Sequence, residues 1–143
     1  MVRAKSHGSH YNVDRVELRT YTPSMAKSYV HTVLIPVPKT KLKQYRSMAK
    51  VTARVWMKYG ALAYVEYQAD FIPKGKVTSF PLCVKLKASE TILLGMVTCK
   101  SKSHFEKVMK QVMNDEAIAK AWDTVPFDGS RMIYGGFKTF LEA

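Results

Sequence analysis

The chain has 143 residues, of which 47% are apolar and 11% aromatic, and this is enough for one hydrophobic core but not for two. No stretch approaches the roughly 18 apolar residues of a membrane-spanning helix, and the first 27 residues lack the apolar block of a signal peptide, so we expect a cytoplasmic protein without membrane contact. The formal net charge of +12 favours solubility and loose attraction to polyanions, but it does not bear on the fold.

The two cysteines predict neither a metal site nor a bound cofactor. Cys83 and Cys99 have no Cys-x-x-Cys partner and no histidines at metal-ligand spacing. We interpret both as reduced thiols, because a disulfide between them would need an oxidising compartment.

Residues 1–27 are predicted to be a disordered leader. They are polar, include His7-Gly8-Ser9-His10, and show no sustained period of 2 or 3.6. Met25 is a candidate for the original first residue. The residues before it would then come from a vector or from a start codon assigned too far upstream. One domain is therefore expected over residues 28–143.

The first strand and the first helix have clear limits. Tyr29–Ile35 is rich in β-formers and is followed by Pro36 and Pro38, which cannot donate to a ladder. A long amphipathic helix is predicted from an N-cap at Thr40 to a stop at Gly60. Its apolar positions recur at steps of three and four: Leu42, Tyr45, Met48, Ala49, Thr52, Val55, Trp56 and Tyr59.

Two alternating segments follow the helix. Ala61–Asp70 predicts a second strand that is polar on the face formed by Leu62, Tyr64, Glu66, Gln68 and Asp70. Phe80–Leu86 also alternates, and Pro81 favours an edge position, so we predict an additional edge strand there.

The last third of the chain predicts a strand, two helices and a final strand. Thr91–Cys99 is a strand, and the Ser103-x-x-Glu106 spacing of a capping box begins a helix that ends near Asn114. A separate short helix over Asp115–Trp122 and a strand over Arg131–Leu141 complete the order. The result is β-α-β-β-α-β with one extra edge strand, an α+β fold of the ferredoxin-like type.

Four segments resemble one bacterial family in order and spacing. They are Ile35-Pro36-Val37-Pro38, residues 55–66 (VWMKYGALAYVE), residues 75–81 (GKVTSFP) and residues 126–137 (PFDGSRMIYGGF). The chain resembles the YbaA-like family, a domain family of unknown function numbered 1428, over residues 28–141. The resemblance implies a dimeric α+β barrel, in which two ferredoxin-like sheets associate face to face around a cavity, and it implies no established activity.

The sequence departs from the family pattern at three places. The acidic pair expected after strand two is Ala69-Asp70, and an aromatic expected before the second helix is replaced around Gly95 and Met96. Either change could alter a pocket. The first helix also carries basic residues without one acid, whereas its relatives mix both signs.

Glu66 is the main candidate for chemistry. If the alanines of strand two pack beneath helices, the Glu66 face looks into the cavity, where a carboxylate can act as general acid or base. His31 on strand one is a candidate proton-transfer partner, and Tyr64, Gln68, Asp70 and Tyr134 are candidate ligand-binding residues. A pair between Glu66 and a lysine or arginine, or a place at the sheet rim, is the structural alternative.

Residues 126–137 contain further candidates, each with a structural alternative. Arg131 can clamp a carboxylate or phosphate, but a pair with Asp128 or Asp70 is the simpler interpretation. Asp128 itself is predicted to be a turn residue. The Gly135-Gly136 pair indicates close packing or the approach of a ligand or partner.

Three functional hypotheses follow. The first is a homodimer that binds a small organic molecule, with a cofactor-independent oxygenase or isomerase using Glu66, His31 and Arg131 as its enzymatic form. The second is a non-catalytic ligand-binding or stress-related protein. The third is binding of nucleic acid or another polyanion through Lys43, Arg46, Lys50 and Arg54, for which a solvated helix face is the plainer explanation.

Overall fold

The computed structural model describes residues 27–143, so the predicted leader lies outside the described residues apart from Lys27. The elements in chain order are β1 (Tyr29–Pro38), a 3-10 turn (Lys39–Lys41), α1 (Leu42–Lys58), β2 (Ala63–Gln68), α2 (Phe80–Cys83), β3 (Glu90–Cys99), α3 (Lys102–Met113), α4 (Glu116–Ala121), a 3-10 turn (Gly129–Arg131) and β4 (Ile133–Lys138). Within residues 27–143 no helix combines the length and the apolar character that crossing a membrane requires.

The four strands form one sheet in the order β2-β3-β1-β4, and all neighbours are antiparallel. The helical connections from β1 to β2 and from β3 to β4 each pass over one intervening strand. This is the ferredoxin-like arrangement, so the predicted α+β fold is confirmed.

The predicted extra edge strand is wrong. Phe80–Leu86 begins with the short helix α2, which is capped by the Ser79 side chain accepting a hydrogen bond from the Leu82 backbone N–H at 3.1 Å. Pro81 lies in the first helical turn, where its missing N–H costs nothing. Local capping chemistry therefore overrides an alternating pattern that is too short to be decisive.

Two helix starts also differ from prediction. The 3-10 turn after Pro38 precedes α1, so Thr40 lies inside that turn and is not the cap. Helix α3 is capped by Ser101, whose side chain accepts from the His104 backbone N–H at 3.1 Å, and not by Ser103. The predicted stop at Gly60 agrees with its φ of +108°, a conformation that favours glycine.

Later boundaries are mostly close to prediction. Helix α3 ends at Met113, and Asp115 caps the separate helix α4. The last strand is shorter than expected, because Arg131 belongs to a 3-10 turn and pairing begins at Ile133.

The register assigns the strand side chains to two faces. Glu66, Gly95, Val33 and Tyr134 form one row across the sheet, and Tyr45 of α1 donates a hydrogen bond to Glu66. This row therefore faces the helices. The prediction that the alanine face of β2 packs beneath the helices, with Glu66 on the uncovered face, is wrong. Alternation shows which residues share a face but not which face the helices cover.

The opposite side, which we call the open sheet face, is apolar. Its exposed members are Val65, Tyr67, Ile133 and Phe137, which are 39–62% exposed. Leu34, Leu94 and Met96 lie between them in the register. Thr32 and Thr98 also lie on this face, so the side of the sheet away from α1 and α3 is predominantly apolar.

Candidate functional site

A cavity of about 410 Å³ lies between the sheet and helices α1, α3 and α4. Most of its wall is apolar, including Trp56, Val97, Val112 and Ile118, and four methionines on the helix side of the sheet contribute: Met48, Met109, Met113 and Met132. Its volume falls in the range of about 300–1,000 Å³ that is typical of small-molecule sites. The cavity belongs to one copy of the chain, whereas the predicted cavity was shared between two sheets.

Glu66 is the polar centre of the cavity floor. The Tyr45 hydroxyl donates a hydrogen bond to Oε1 of Glu66, and the Tyr64 hydroxyl donates to Oε2 at 2.7 Å. Burial, followed by the nearby Glu66 charge, raises the pKa of both tyrosines well above the ordinary value. Both phenols therefore stay protonated and hold the carboxyl group in one orientation.

Gly95 allows close packing of the sheet beside this carboxylate. It lies between Val33 and Glu66 in the register, and a Cβ added there would be 2.9 Å from Val33 Cγ1 and 3.7 Å from Glu66 Cγ. A larger residue would occupy the floor next to Glu66. The departure from the family pattern noted at this position therefore falls on the cavity itself.

His31 lines the same cavity but does not lie next to Glu66. Its ring stacks on Phe105 with centroids 4.9 Å apart, and burial lowers its pKa. Strand β3 separates β1 from β2, so two strand spacings put the two backbones about 10 Å apart. Proton transfer between His31 and Glu66 would therefore need a bound molecule or a water chain between them.

Arg131 serves a different cluster. Its guanidinium binds Glu90 through two hydrogen bonds of 2.5 and 2.8 Å, and its Nε donates to Asp128 at 3.0 Å. Ser130 and then Arg131 lower the pKa of Asp128 to about 2, and Arg131 also holds the pKa of Glu90 below its ordinary value. Arg131 does not line the cavity, so the predicted grouping of Glu66, His31 and Arg131 is not assembled.

The other predicted ligand-binding residues divide in the same way. Tyr64 and Tyr134 line the cavity, and Gln68 and Asp70 do not. Both of the latter are exposed, because they lie beyond the end of the helix layer on β2 and in the following loop.

Gly136 accommodates a neighbouring side chain. A Cβ there would lie 1.8 Å from the Tyr29 hydroxyl oxygen, so the Tyr29 side chain occupies the space that a larger residue would need. The predicted packing against a helix or a partner is therefore not what Gly136 meets, because the neighbour is a side chain of the adjacent strand β1.

No group of three or more histidine, cysteine or acidic side chains in residues 27–143 could hold a metal ion. His104 at the start of α3 has a structural contact instead, because its Nδ1 accepts a hydrogen bond from the Lys100 backbone N–H at 3.0 Å. Its local role is to stabilise the start of α3.

The basic stripe on α1 is exposed as predicted. Lys43, Arg46, Lys50 and Arg54 all lie on the solvent side of the helix, and α1 contains no acidic residue. The sequence therefore identified this surface correctly.

Sequence reasoning missed the tertiary partners of the cavity. Tyr45 was counted only as a core position, because its partner Glu66 is 21 residues away. Trp122 donates through Nε1 to Thr52 Oγ1 at 3.0 Å, and Thr52 donates to the Met48 carbonyl at 2.9 Å. The available signal was the presence of two polar groups, on Tyr45 and Thr52, on the buried face of α1, because buried polar groups need hydrogen-bond partners.

The fold and the cavity define a single-sheet α+β protein with a ferredoxin-like topology and an internal pocket under its helices. Residues 28–129 match the family described as "Protein of unknown function (DUF1428)", and the chain belongs to that family. The resemblance found in the sequence is thereby confirmed.

Relatives of this family cover most of the chain. The uncharacterized protein YbaA of Escherichia coli (strain K12) is 35% identical over 114 residues, which span 80% of this chain and 97% of YbaA, and YbaA of Shigella flexneri matches equally. A solved structure from Bacteroides thetaiotaomicron, described as a conserved protein of unknown function and possible oxidoreductase, aligns with a TM-score of 0.48 at 12% identity. It covers 80% of this chain and 99% of that protein, and a match this distant carries no argument about function.

Proposed function

We propose that this protein binds a small, largely apolar organic molecule in the cavity between its sheet and helices, with Glu66 as the group that orients the molecule. The observation that carries the proposal is an apolar cavity with one carboxylate held by two tyrosines on its floor. Ligand sites are typically concave and apolar, with a few convergent polar groups that give orientation. A non-catalytic binding role needs no more than this.

Intrinsic fluorescence can report on the cavity directly. The chain has two tryptophans, Trp56 and Trp122, and both line the cavity. We expect N-phenylnaphthylamine, a neutral apolar dye, to bind saturably at one site per chain and to quench tryptophan emission by energy transfer. Native mass spectrometry gives the stoichiometry.

Two matched variants locate the dye. Val112→Phe adds bulk to the cavity wall and is expected to weaken dye binding about tenfold, since overpacking costs about 1–3 kcal/mol. Val77→Phe makes the same change at an exposed position and should leave affinity unaltered. Equal affinities in the two variants, or no saturable binding, would contradict the proposal.

Proton transfer by Glu66 is a second candidate, favoured by the position of its carboxylate on the cavity floor. An isomerase or a cofactor-independent oxygenase would both begin by taking a proton from a bound carbon acid. The test is deuterium exchange from solvent into a ligand that the cavity binds. Exchange should stop in Glu66→Gln and continue in Glu106→Gln, whose carboxylate is exposed on α3; exchange that persists in Glu66→Gln refutes the catalytic role.

We also propose that two copies associate through the open sheet face. Val65, Tyr67, Ile133 and Phe137 are substantially exposed there, and monomeric proteins rarely leave a large apolar patch in water. A second copy would cover the same residues by two-fold symmetry. Because the cavity lies on the other side of the sheet, association and ligand binding are separable.

Sedimentation equilibrium tests the association. Tyr67→Lys places a charge on the open sheet face and is expected to yield monomers, while Val77→Lys, at a site 94% exposed and off the sheet, should remain dimeric. A monomeric unmodified chain at high concentration would refute this assembly.

Polyanion binding through α1 is a third candidate, and the exposed basic stripe favours it. Release from heparin should shift to lower salt in Arg46→Glu with Lys50→Glu. The control makes the same charge change on α3, at Lys107 and Lys110. If both double variants shift equally, net charge and not the stripe explains the retention.

A cytoplasmic location is part of the proposal. Cys83 and Cys99 are both free thiols, and Cys99 is buried, which raises its pKa and keeps it unreactive. Free thiols persist in reducing compartments. Fractionation of producing cells, with the thiols titrated under denaturing conditions, tests the assignment, and secretion with an oxidised cysteine pair would contradict it.

A further inference from the structure

We infer that the molecule bound in this cavity carries a protonated amine on an apolar, preferably aromatic body, and that Glu66 receives the amine. The inference rests on the proposed function and specifies the chemical class of its ligand. It is carried by the charge balance of the cavity, the unfilled acceptor sites of Glu66, and the aromatic residues that line the cavity.

The cavity has a negative group without a positive counterpart. Glu66 is the one carboxylate among the lining residues in the described part of the chain, and neither lysine nor arginine lines the cavity. His31 is neutral near neutral pH, because burial lowers its pKa. An apolar surrounding makes an unbalanced carboxylate costly and strengthens its attraction to a cation, so a cationic ligand gains where a neutral one does not.

Glu66 also keeps acceptor sites for a ligand. Tyr45 donates to one carboxyl oxygen and Tyr64 to the other. Each carboxylate oxygen has two lone-pair sites, so one site on each oxygen stays available, and an ammonium group brings three donors. Because both tyrosines remain protonated, they reinforce the carboxylate without supplying the missing positive charge.

The surroundings of Glu66 suit an aromatic body. Gly95 places no side chain beside the carboxylate, and Val33 packs closely against the strand at this position. Trp56, Trp122 and Tyr134 supply aromatic surface to the same cavity. An aromatic body bound in the cavity would pack against these rings.

A matched series of ligands tests the inference on the unmodified full-length chain. Phenethylamine, phenethyl alcohol and phenylacetate share one body and differ in charge, and calorimetry gives their affinities. We expect the amine to bind at least about tenfold more tightly than the alcohol, since a hydrogen bond between two charged groups is stronger than one that involves a neutral donor. Phenylacetate should be the weakest, because its charge opposes that of Glu66.

Substitutions then assign the preference to one residue. In Glu66→Gln the amine should lose its advantage while the alcohol binds as before, and in Glu106→Gln the advantage should persist. Glu66→Asp keeps the charge but withdraws it by one methylene, so the amine should remain the tightest of the three ligands with a reduced advantage over the alcohol. This variant keeps the assignment testable if Glu66→Gln fails to fold.

The outcomes separate this inference from the proposed function. Equal affinity for amine and alcohol, or a preference for phenylacetate, overturns the amine assignment while leaving a ligand-binding cavity in place. Failure of all three to bind also overturns it. Only the absence of saturable N-phenylnaphthylamine binding overturns the cavity as a ligand site.

Discussion

Replacing Gly95 by alanine should strain the cavity floor in a way that a second substitution relieves. The added Cβ would lie 2.9 Å from Val33 Cγ1, whereas non-bonded carbons are best placed about 3.5–4.0 Å apart. Val33 is β-branched and holds a restricted χ1, so it cannot simply rotate away. One of the two strands must therefore shift by about 0.6 Å.

The size of the effect follows from two opposing contributions. Overpacking of this kind costs about 1–3 kcal/mol, and replacing a strand glycine by alanine recovers about 0.5–1 kcal/mol of chain entropy. We expect a net loss of about 1–2 kcal/mol in the free energy of unfolding. With Val33→Ala already present, the contact is gone and Gly95→Ala should become neutral or slightly stabilising.

Urea unfolding of the four chains of this double-mutant cycle measures the coupling. All four are compared at one protein concentration, because association would add to apparent stability. Gly135→Ala is the matched control, since its Cβ would meet Phe137 at an ordinary 3.8 Å. If Gly95→Ala costs the same with and without the Val33 side chain, or if Gly135→Ala costs as much, the steric reasoning is refuted.

Two further predictions concern stability. Glu90→Gln should lower the melting temperature most near neutral pH: Arg131 depresses the folded-state pKa of Glu90 below its ordinary 4.5, so this contribution is complete above that pH and is lost as pH falls through the depressed value. Melting curves near pH 7 and about pH 3 check this, and a difference that grows in acid would refute it. Ser101→Ala should cost about 0.5–2 kcal/mol through loss of the α3 cap, whereas Ser103→Ala should cost far less; equal urea midpoints would contradict the cap assignment.

The fold was largely predictable because its signals are local. The period of α1, the stop at Gly60 and the alternation of β2 all depend on residues close in sequence. The prediction for Phe80–Leu86 was wrong because the segment carries signals for two structures. Its alternation suits an edge strand, whereas the cap at Ser79 and the proline in the first turn suit a short helix. Seven residues are too few for the period to decide.

The site was predictable only in part, because its chemistry depends on distant pairs. Alternation grouped Tyr64 with Glu66 correctly, yet the choice of covered face needed the helix packing. The partnership of Glu90 with Arg131 spans 41 residues, and no local pattern reveals it. Together with the predicted pair to Asp128, it occupies the guanidinium that was also a candidate to clamp a ligand.

The methionines in the cavity wall have a consequence for how selective the protein can be. Met48, Met109, Met113 and Met132 line the cavity, and unbranched thioether side chains change rotamer easily to follow the outline of whatever they contact. Such a wall discriminates poorly between bodies of different contour. Recognition would then depend on the head group at Glu66, and a series of congeners with varied rings should compete for the same place.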